Sequence, residues 1–186
     1  MFPNAFGLFP TATPIRADGR GLGRGQGGIV DRMVIGPDMR WMIDQGHLTD
    51  YRVYMPKAED LDMAGVEVTA SGEFNRDETR KRVKASRKLV GDVVGCYLEY
   101  ARGLKGITFA MDVEHAHNIC SEYNRAGVPA VVVQDSTPES ERRSIMARFR
   151  NGDLLQLVNV DLFGEGVDVP AVQVVSMARP TASFSL

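Results

Sequence analysis

Gly106-Ile107-Thr108-Phe109-Ala110 runs on through Met111-Asp112 into Val113-Glu114-His115-Ala116, and the change of period between the two halves decides the fold. The first five residues form a short β-branched and aromatic run. From Val113 the less polar positions fall at Val113, Ala116, Cys120 and Tyr123, the spacing of one helix face. Asp112 stands where an N-cap belongs, and Gly127 where a helix has to stop. The next run, Ala130-Val131-Val132-Val133, has no polar alternation, as expected of a strand covered on both faces. Thr137 can cap a second helix with Pro138 at its first position and Ile145, Met146 and Phe149 on its buried side. Asn151-Gly152 closes that helix, Leu154 to Val160 returns as an apolar strand, and Val172-Gln173-Val174-Val175 makes a further one.

This order predicts an α/β domain with a parallel sheet and helices on both of its sides. In such sheets ligands bind beyond the carboxyl ends of the strands, where Asp112, Asp135 and the loop from Asp161 to Asp168 fall.

The first 105 residues are less regular. They read as a glycine-rich loop, a short segment Met33-Val34-Ile35-Gly36, a helix through Arg40-Trp41-Met42-Ile43 with Trp41 in its core, and a strand at Tyr51 to Met55. Pro56 to Gly72 reads as a connector. Val83, Val90, Val94, Tyr97 and Ala101 then recur on one helical face, with Gly91 as the expected break. Arg80, Lys81, Arg82, Lys84, Arg87 and Lys88 form the densest basic cluster and read as a solvated helix surface, with Arg80, Lys84 and Arg87 on one face. His47, His115 and His117 show no ligand spacing and read as surface or capping residues.

At 186 residues, 44% apolar and 25% charged, the chain has room for one ordinary domain, or one with an appendage. A net charge of -2 excludes a generally basic nucleic-acid coat and leaves room for a local basic groove. Cys96 and Cys120 lack zinc spacing and read as reduced packing residues; no metal-ligating set is expected. No uncharged run approaches a membrane span, and Met1-Phe2-Pro3-Asn4 has neither the basic segment nor the apolar core of a signal peptide. A cytoplasmic protein without a membrane partner is expected.

The richest chemistry lies in Val158-Asn159-Val160-Asp161-Leu162-Phe163-Gly164-Glu165-Gly166-Val167-Asp168-Val169-Pro170. Gly164 and Gly166 let backbone amides approach a phosphate or ribose. Asp161, Glu165 and Asp168 offer carboxylates to hydroxyls or to hydrated magnesium. Glycine and aspartate are also the commonest turn formers, so composition alone favours a plain strand-to-helix turn.

As a whole that string resembles motif V of superfamily 2 DEAD/DEAH-box helicases, in the bacterial and phage branch related to DNA-repair and restriction motors. Thr11-Ala12-Thr13-Pro14 resembles motif III. Gly106 to Ala110 with Val113-Glu114-His115-Ala116 resembles motif IV and its helix, and Arg142 through Phe149-Arg150-Asn151-Gly152 the helix that follows. Arg179-Pro180-Thr181 comes at the family's spacing. The resemblance spans nearly the whole chain and is strongest from Gly106 to Thr181.

The resemblance implies a RecA-like parallel sheet, the C-terminal lobe of a helicase, with an incomplete tail of the first RecA-like lobe. On that reading residues 1–55 carry motif III as a remnant of the first lobe, 56–75 form the linker, and 76–186 form the second lobe, truncated before motif VI. It implies that Gly164, Glu165, Gly166 and Asp168 face ATP, and that Thr11, Ala12 and Thr13 couple hydrolysis to strand movement. Phe109, Ala110, Asn159 and Arg142 would lie along the nucleic acid, DNA in preference to RNA. ATP and Mg2+ would be held only together with a first lobe supplied in cis or in trans, in the cytoplasm of a bacterium or a phage-infected host.

Equally telling is what the sequence lacks. No Gly-Lys-Ser/Thr occurs, so there is no P-loop. Asp112-Val113-Glu114-His115 has its residues in the wrong order, and on the wrong lobe, for the family's metal-binding box. Ser183-Phe184-Ser185-Leu186 falls where the family continues toward the arginines of motif VI. The chain alone is therefore expected not to hydrolyse ATP. Gly23, Gly25 and Gly28 spell a formal GxGxxG, but loop sequence precedes it, so it reads as part of a glycine-rich loop. Two rivals remain: a helicase-derived module that binds nucleic acid or a partner without catalysis, and an unrelated small α/β nucleotide-binding domain. The latter lacks a phosphate loop at Ala110-Met111-Asp112-Val113.

Overall fold

Four strands, β1 (Gly106–Phe109), β2 (Ala130–Val133), β3 (Gln156–Asn159) and β4 (Val174–Met177), form one sheet in the order β2-β3-β1-β4. Every pair is parallel: Ile107 faces Leu157 on one side and Val175 on the other, and Val131 faces Leu157. The structure, a computed structural model, describes residues 7–11, 21–55, 61–69, 73–86, 89–160, 162 and 169–180. The chain divides into two compact units, Met1–Tyr54 with Val68–Glu73 and Ala182–Leu186, and Met55–Glu67 with Phe74–Thr181. The sheet belongs to the second.

Helices α4 (Val113–Arg125) and α5 (Glu139–Asn151) connect the first three strands. Right-handed crossovers from β1 out to β2 and from β2 back to β3 put them on opposite faces. On one face Ala116, Ile119 and Tyr123 of α4 meet Val94 and Tyr97 of α3 (Leu89–Tyr100) over Val158. On the other, Ile145 and Phe149 of α5 pack on Ile107, Val133 and Leu157. Adjacent Leu157 and Val158 thus serve opposite cores, which explains why the strands lack polar alternation. Ile119, Tyr123 and Phe149 are wholly buried. Each such side chain contributes roughly 1.5–3 kcal/mol of burial.

A polar thread crosses the α3/α4 side. The Thr108 hydroxyl donates to Gln156 Oε1 at 3.3 Å and lies 3.2 Å from the Tyr123 hydroxyl, which must therefore be the donor in that pair. The rings of Tyr97 and Tyr123 meet edge to face, centroids 5.4 Å apart. The Tyr97 hydroxyl donates to the Leu104 carbonyl at 2.9 Å, so these buried polar groups are paired.

The expected punctuation is present: Asp112 caps α4 by accepting from the His115 amide at 2.8 Å, and Gly127 and Gly152 follow α4 and α5 with φ of 77° and 90°. Four expectations shift. The Thr137 hydroxyl accepts from the Gln134 amide instead of capping α5, which begins at Glu139. The last strand starts at Val174, because Val169 and Val172 close a turn (Val172 amide to Val169 carbonyl, 2.9 Å) and pack with Ala171 against the α5-side core. The helical stretch before β1 is two helices, α2 (Arg76–Ala85) and α3, parted after Ala85, where the Ser86 amide bonds back to the Arg82 and Val83 carbonyls; Gly91 lies inside α3. Tyr51 to Met55 belongs to no described sheet and its side chains are exposed.

In the N-terminal unit a 3-10 turn at Arg24–Gln26 ends on Gly27 (φ 79°), and Asp38 caps the short helix α1 (Met39–Asp44) by accepting from the Trp41 amide. Trp41 is not a core residue: it is 46% exposed, its ring tilted against His47 with centroids 6.0 Å apart.

Candidate functional site

At the carboxyl edge the ladder runs one residue past β1. The Ala110 amide donates to the Asn159 carbonyl at 2.9 Å, and the Ala178 amide to the Phe109 carbonyl at 3.0 Å. Ala110, Asn159 and Ala178 are buried. The Asn159 side chain then stitches the edge: Nδ2 donates to the Thr108 carbonyl at 3.4 Å, and Oδ1 accepts from the Leu162 amide at 3.3 Å. It fixes the direction in which the chain leaves β3.

The strand order makes this spot special. From β1 the chain crosses toward β2, and from β3 it crosses the other way to β4, so the connections of the adjacent strands β1 and β3 leave on opposite faces of the sheet. Such a topological switch point is where open α/β sheets form ligand crevices. Phe109 and Ala110 leave it on one side, Asn159 and Leu162 on the other.

Next to it the turn from β2 into α5 is closed on itself. Gln134 and Thr137 exchange two bonds, amide to hydroxyl at 3.0 Å and amide to carbonyl at 2.9 Å. Arg142 Nη2 donates to the Asp135 and Thr137 carbonyls at 3.2 and 3.3 Å. Among the described residues, His115 Nε2, Gln134 Oε1 and Arg142 Nε nevertheless find no hydrogen-bond partner, although all three are buried. All three belong to segments that leave the carboxyl ends of β1 and β2. Native interiors seldom leave such groups unpaired except where a ligand, an ion or a moving part completes them.

Burial also holds the His115 imidazole below its ordinary pKa of 6.5, with Asp112 pulling partly the other way. Because the Met111 amide donates to Nδ1 at 3.3 Å, the neutral ring must carry its proton on Nε2. His115 is thus an interior residue, contrary to its reading as a surface or capping one. The basic cluster is likewise not simply solvated: Arg80 Nε lies 3.0 Å from Asp112 Oδ2, and Lys84 Nζ 2.5 Å from Glu114 Oε2. The Glu114 bond and charge raise the Lys84 pKa.

Of the residues singled out from sequence, Phe109, Ala110 and Asn159 come together at the switch point, and Arg142 stands in the first turn of α5. Gly164, Glu165, Gly166 and Asp168 lie outside the described residues, as do Asp161, Arg87, Ala12 and Thr13. The two feet of that acidic loop are described: Leu162 and Val169 both pack against the α5-side core. Thr11 is exposed in the N-terminal unit. Sequence reasoning missed Gln134, because a lone glutamine after a strand carries no periodic signal. It also missed the pairing of Arg80 and Lys84 with Asp112 and Glu114, because no local pattern links charges so far apart in sequence. Among the described residues no helix is long and apolar enough to cross a membrane.

The family described as "Helicase conserved C-terminal domain" matches residues 86–185. A relative from Lactococcus phage (isolate 7-9), the "51.5 kDa protein", is 34% identical over 95% of this chain and 37% of its own length. The Schizosaccharomyces pombe "Putative mitochondrial ATP-dependent helicase irc3" is 31% identical over 91% of this chain and 26% of its own length. Among solved structures, the Pyrococcus furiosus Hef helicase domain overlaps 54% of this chain and 22% of its own, at 24% identity and a TM-score of 0.45. The chain spans little more than a third of the phage relative and about a quarter of the yeast one. With a parallel α/β sheet in the matched region and the match running over more than half of its length, the chain belongs to the helicase conserved C-terminal domain family of superfamily 2.

Proposed function

We propose that this chain supplies the second half of the ATP cleft, and part of the strand-binding surface, of an ATP-dependent helicase or translocase acting on DNA. The observation that carries the reading is the pinning of both feet of the 163–168 segment at the switch-point side of the sheet. Asn159 holds Leu162, and Leu162 and Val169, both half-buried, pack against one core. Gly164, Glu165, Gly166 and Asp168, which lie between these two residues in sequence, would face the nucleotide. ATP would supply the energy through its γ-phosphate, with Mg2+ offsetting charge. Phe109, Ala110, Asn159 and Arg142 would flank the nucleic-acid strand. The DNA preference rests on the likeness of the Val158 to Pro170 string to repair and restriction motors.

In this reading residues 1–55 belong to the first lobe, with Thr11, Ala12 and Thr13 coupling hydrolysis to movement, 56–75 are the linker, and 76–186 the second lobe. A first lobe bearing a P-loop is the obligatory partner, in cis or in trans, in the cytoplasm of a bacterium or a phage-infected cell. Because the sequence contains no Gly-Lys-Ser/Thr cradle for the phosphates, the chain is expected to be inactive alone.

The test is ATP turnover and single-stranded DNA binding by the chain alone, then mixed with a P-loop-bearing first lobe. DNA binding without turnover alone, and turnover on mixing that Asp168→Ala abolishes, is the expected result. Magnesium-dependent turnover by the chain alone overturns the inactivity. Binding to DNA with no turnover in any mixture favours the non-catalytic binding module.

A further inference from the structure

We propose that α2 is a strut coupling the connecting segment 61–67 to the carboxyl edge of the sheet, with Arg80 and Asp112 as its positioning pair. The helix carries three neighbouring stripes of i, i+4 pairs, each with its own partner. Glu78 and Arg82 hold the connector: Glu78 Oε2 accepts from the Glu67 amide at 3.1 Å, and Arg82 Nη2 donates to the Ala64 carbonyl at 3.3 Å. Arg82 Nη1 also lies 3.8 Å from Asp62 Oδ2, and the Asn75 amide at the helix start donates to the Glu67 carbonyl at 2.7 Å.

Thr79 and Val83 form the middle stripe and are buried. Val83 packs with Met111, the second residue past β1, and Leu61 of the connector packs against both. The third stripe, Arg80 and Lys84, takes Asp112 and Glu114 at the start of α4. One short helix therefore touches the connector along one side and the switch-point edge along the other, with a shared apolar seam between.

Asp112 is the point of transfer because its two oxygens do different work. Oδ1 caps α4 through the His115 amide, while Oδ2 takes the Arg80 guanidinium, and the side chain is only 14% exposed. A displacement of α2 along its axis moves Arg80 and so tilts the carboxylate that holds the first turn of α4. The same tilt reaches Met111, whose amide is bonded to His115 Nδ1. Connector position is thereby read at the exit of β1.

Use of the strut in a motor cycle rests on the helicase reading above; the coupling itself does not. Amide-resolved hydrogen exchange on the full chain, without nucleotide, tests it. Glu78→Ala with Arg82→Ala releases the connector side; Asp112→Asn keeps an N-capping oxygen but gives up the charge that holds Arg80. The release is expected to speed exchange of the His115 and Ala116 amides roughly threefold or more, with the increment lost in the Asp112→Asn background, as for interacting sites. An equal increment in both backgrounds, or faster exchange confined to the Glu67 amide, overturns the strut. Arg80→Ala, which breaks the same pair from the other side and leaves the cap intact, must reproduce the Asp112→Asn result. In the mixed turnover assay Arg80→Ala is expected to lower DNA-stimulated turnover; a wild-type mixture without turnover defeats the helicase reading and leaves the exchange result standing.

Discussion

Gly106 lies against the side-chain amide of Gln156 so closely that a Cβ on it would stand 2.7 Å from Nε2 and 3.0 Å from the Val174 carbonyl oxygen. Gln156 is fully buried and its Oε1 accepts from Thr108, so it has little freedom to retreat. Gly106→Ala is therefore expected to destabilise the sheet by about 1–3 kcal/mol, the usual cost of overpacking. Urea unfolding should show the midpoint fall at unchanged slope.

Tyr123→Phe keeps the ring that meets Tyr97 edge to face but removes the donor to Thr108. The loss of one buried hydrogen bond predicts a decrease of about 1 kcal/mol. Thr108→Val in the same background should then cost less than Thr108→Val alone, which a double-mutant cycle reads directly.

Because burial depresses the His115 pKa, the folded chain refuses a proton that the unfolded chain accepts below its ordinary 6.5. The stability that neutral His115 contributes is complete above that value and is lost progressively as pH falls through it toward the folded-state value. Thermal unfolding midpoints from about pH 7.5 to about pH 5.5 should drop further for the native chain than for His115→Gln. Parallel profiles would show that the ring titrates freely when folded.

Cys96 and Cys120 form no disulfide, and burial, the largest influence on each, raises both thiol pKa values. Thiolate-directed reagents at mildly alkaline pH should modify them more slowly in the folded chain than in urea. Equal rates would mean that the α3–α4 side opens on the timescale of labelling.

From Gly106 to Asn159 the fold is legible in sequence because local and global signals agree: Asp112, Gly127 and Gly152 punctuate helices whose apolar faces meet continuous apolar strands. Legibility fails where a tertiary contact outweighs a local preference. Gly91 looked like the helix breaker, yet a helical glycine costs only about 1 kcal/mol against alanine, and the chain turns at Ser86 instead. Val172 has strand character, but the turn closed by Val169 takes it into the α5-side core before β4 begins. At the edge, Phe109, Ala110 and Asn159 could be named from motif resemblance. The burial of His115 and the closed Gln134 to Thr137 turn could not, since neither residue type nor spacing announces which polar side chain a sheet edge will enclose.

The strand order β2-β3-β1-β4 also sets the sequence of events during synthesis. When a ribosome has extruded β1, α4 and β2, the two strands are not neighbours, so they cannot zip together; a vacancy one strand wide separates them. β3 must insert into that vacancy, and β1 stays open on its far side until Met177 has emerged. Folding therefore cannot proceed by adding strands to a growing margin, and the nascent chain carries an open edge on β1 from the emergence of Phe109 until that of Met177. A pause or cleavage before β4 would leave one edge of β1 uncovered, a state that holdase chaperones recognise and that pairs readily with its own copies.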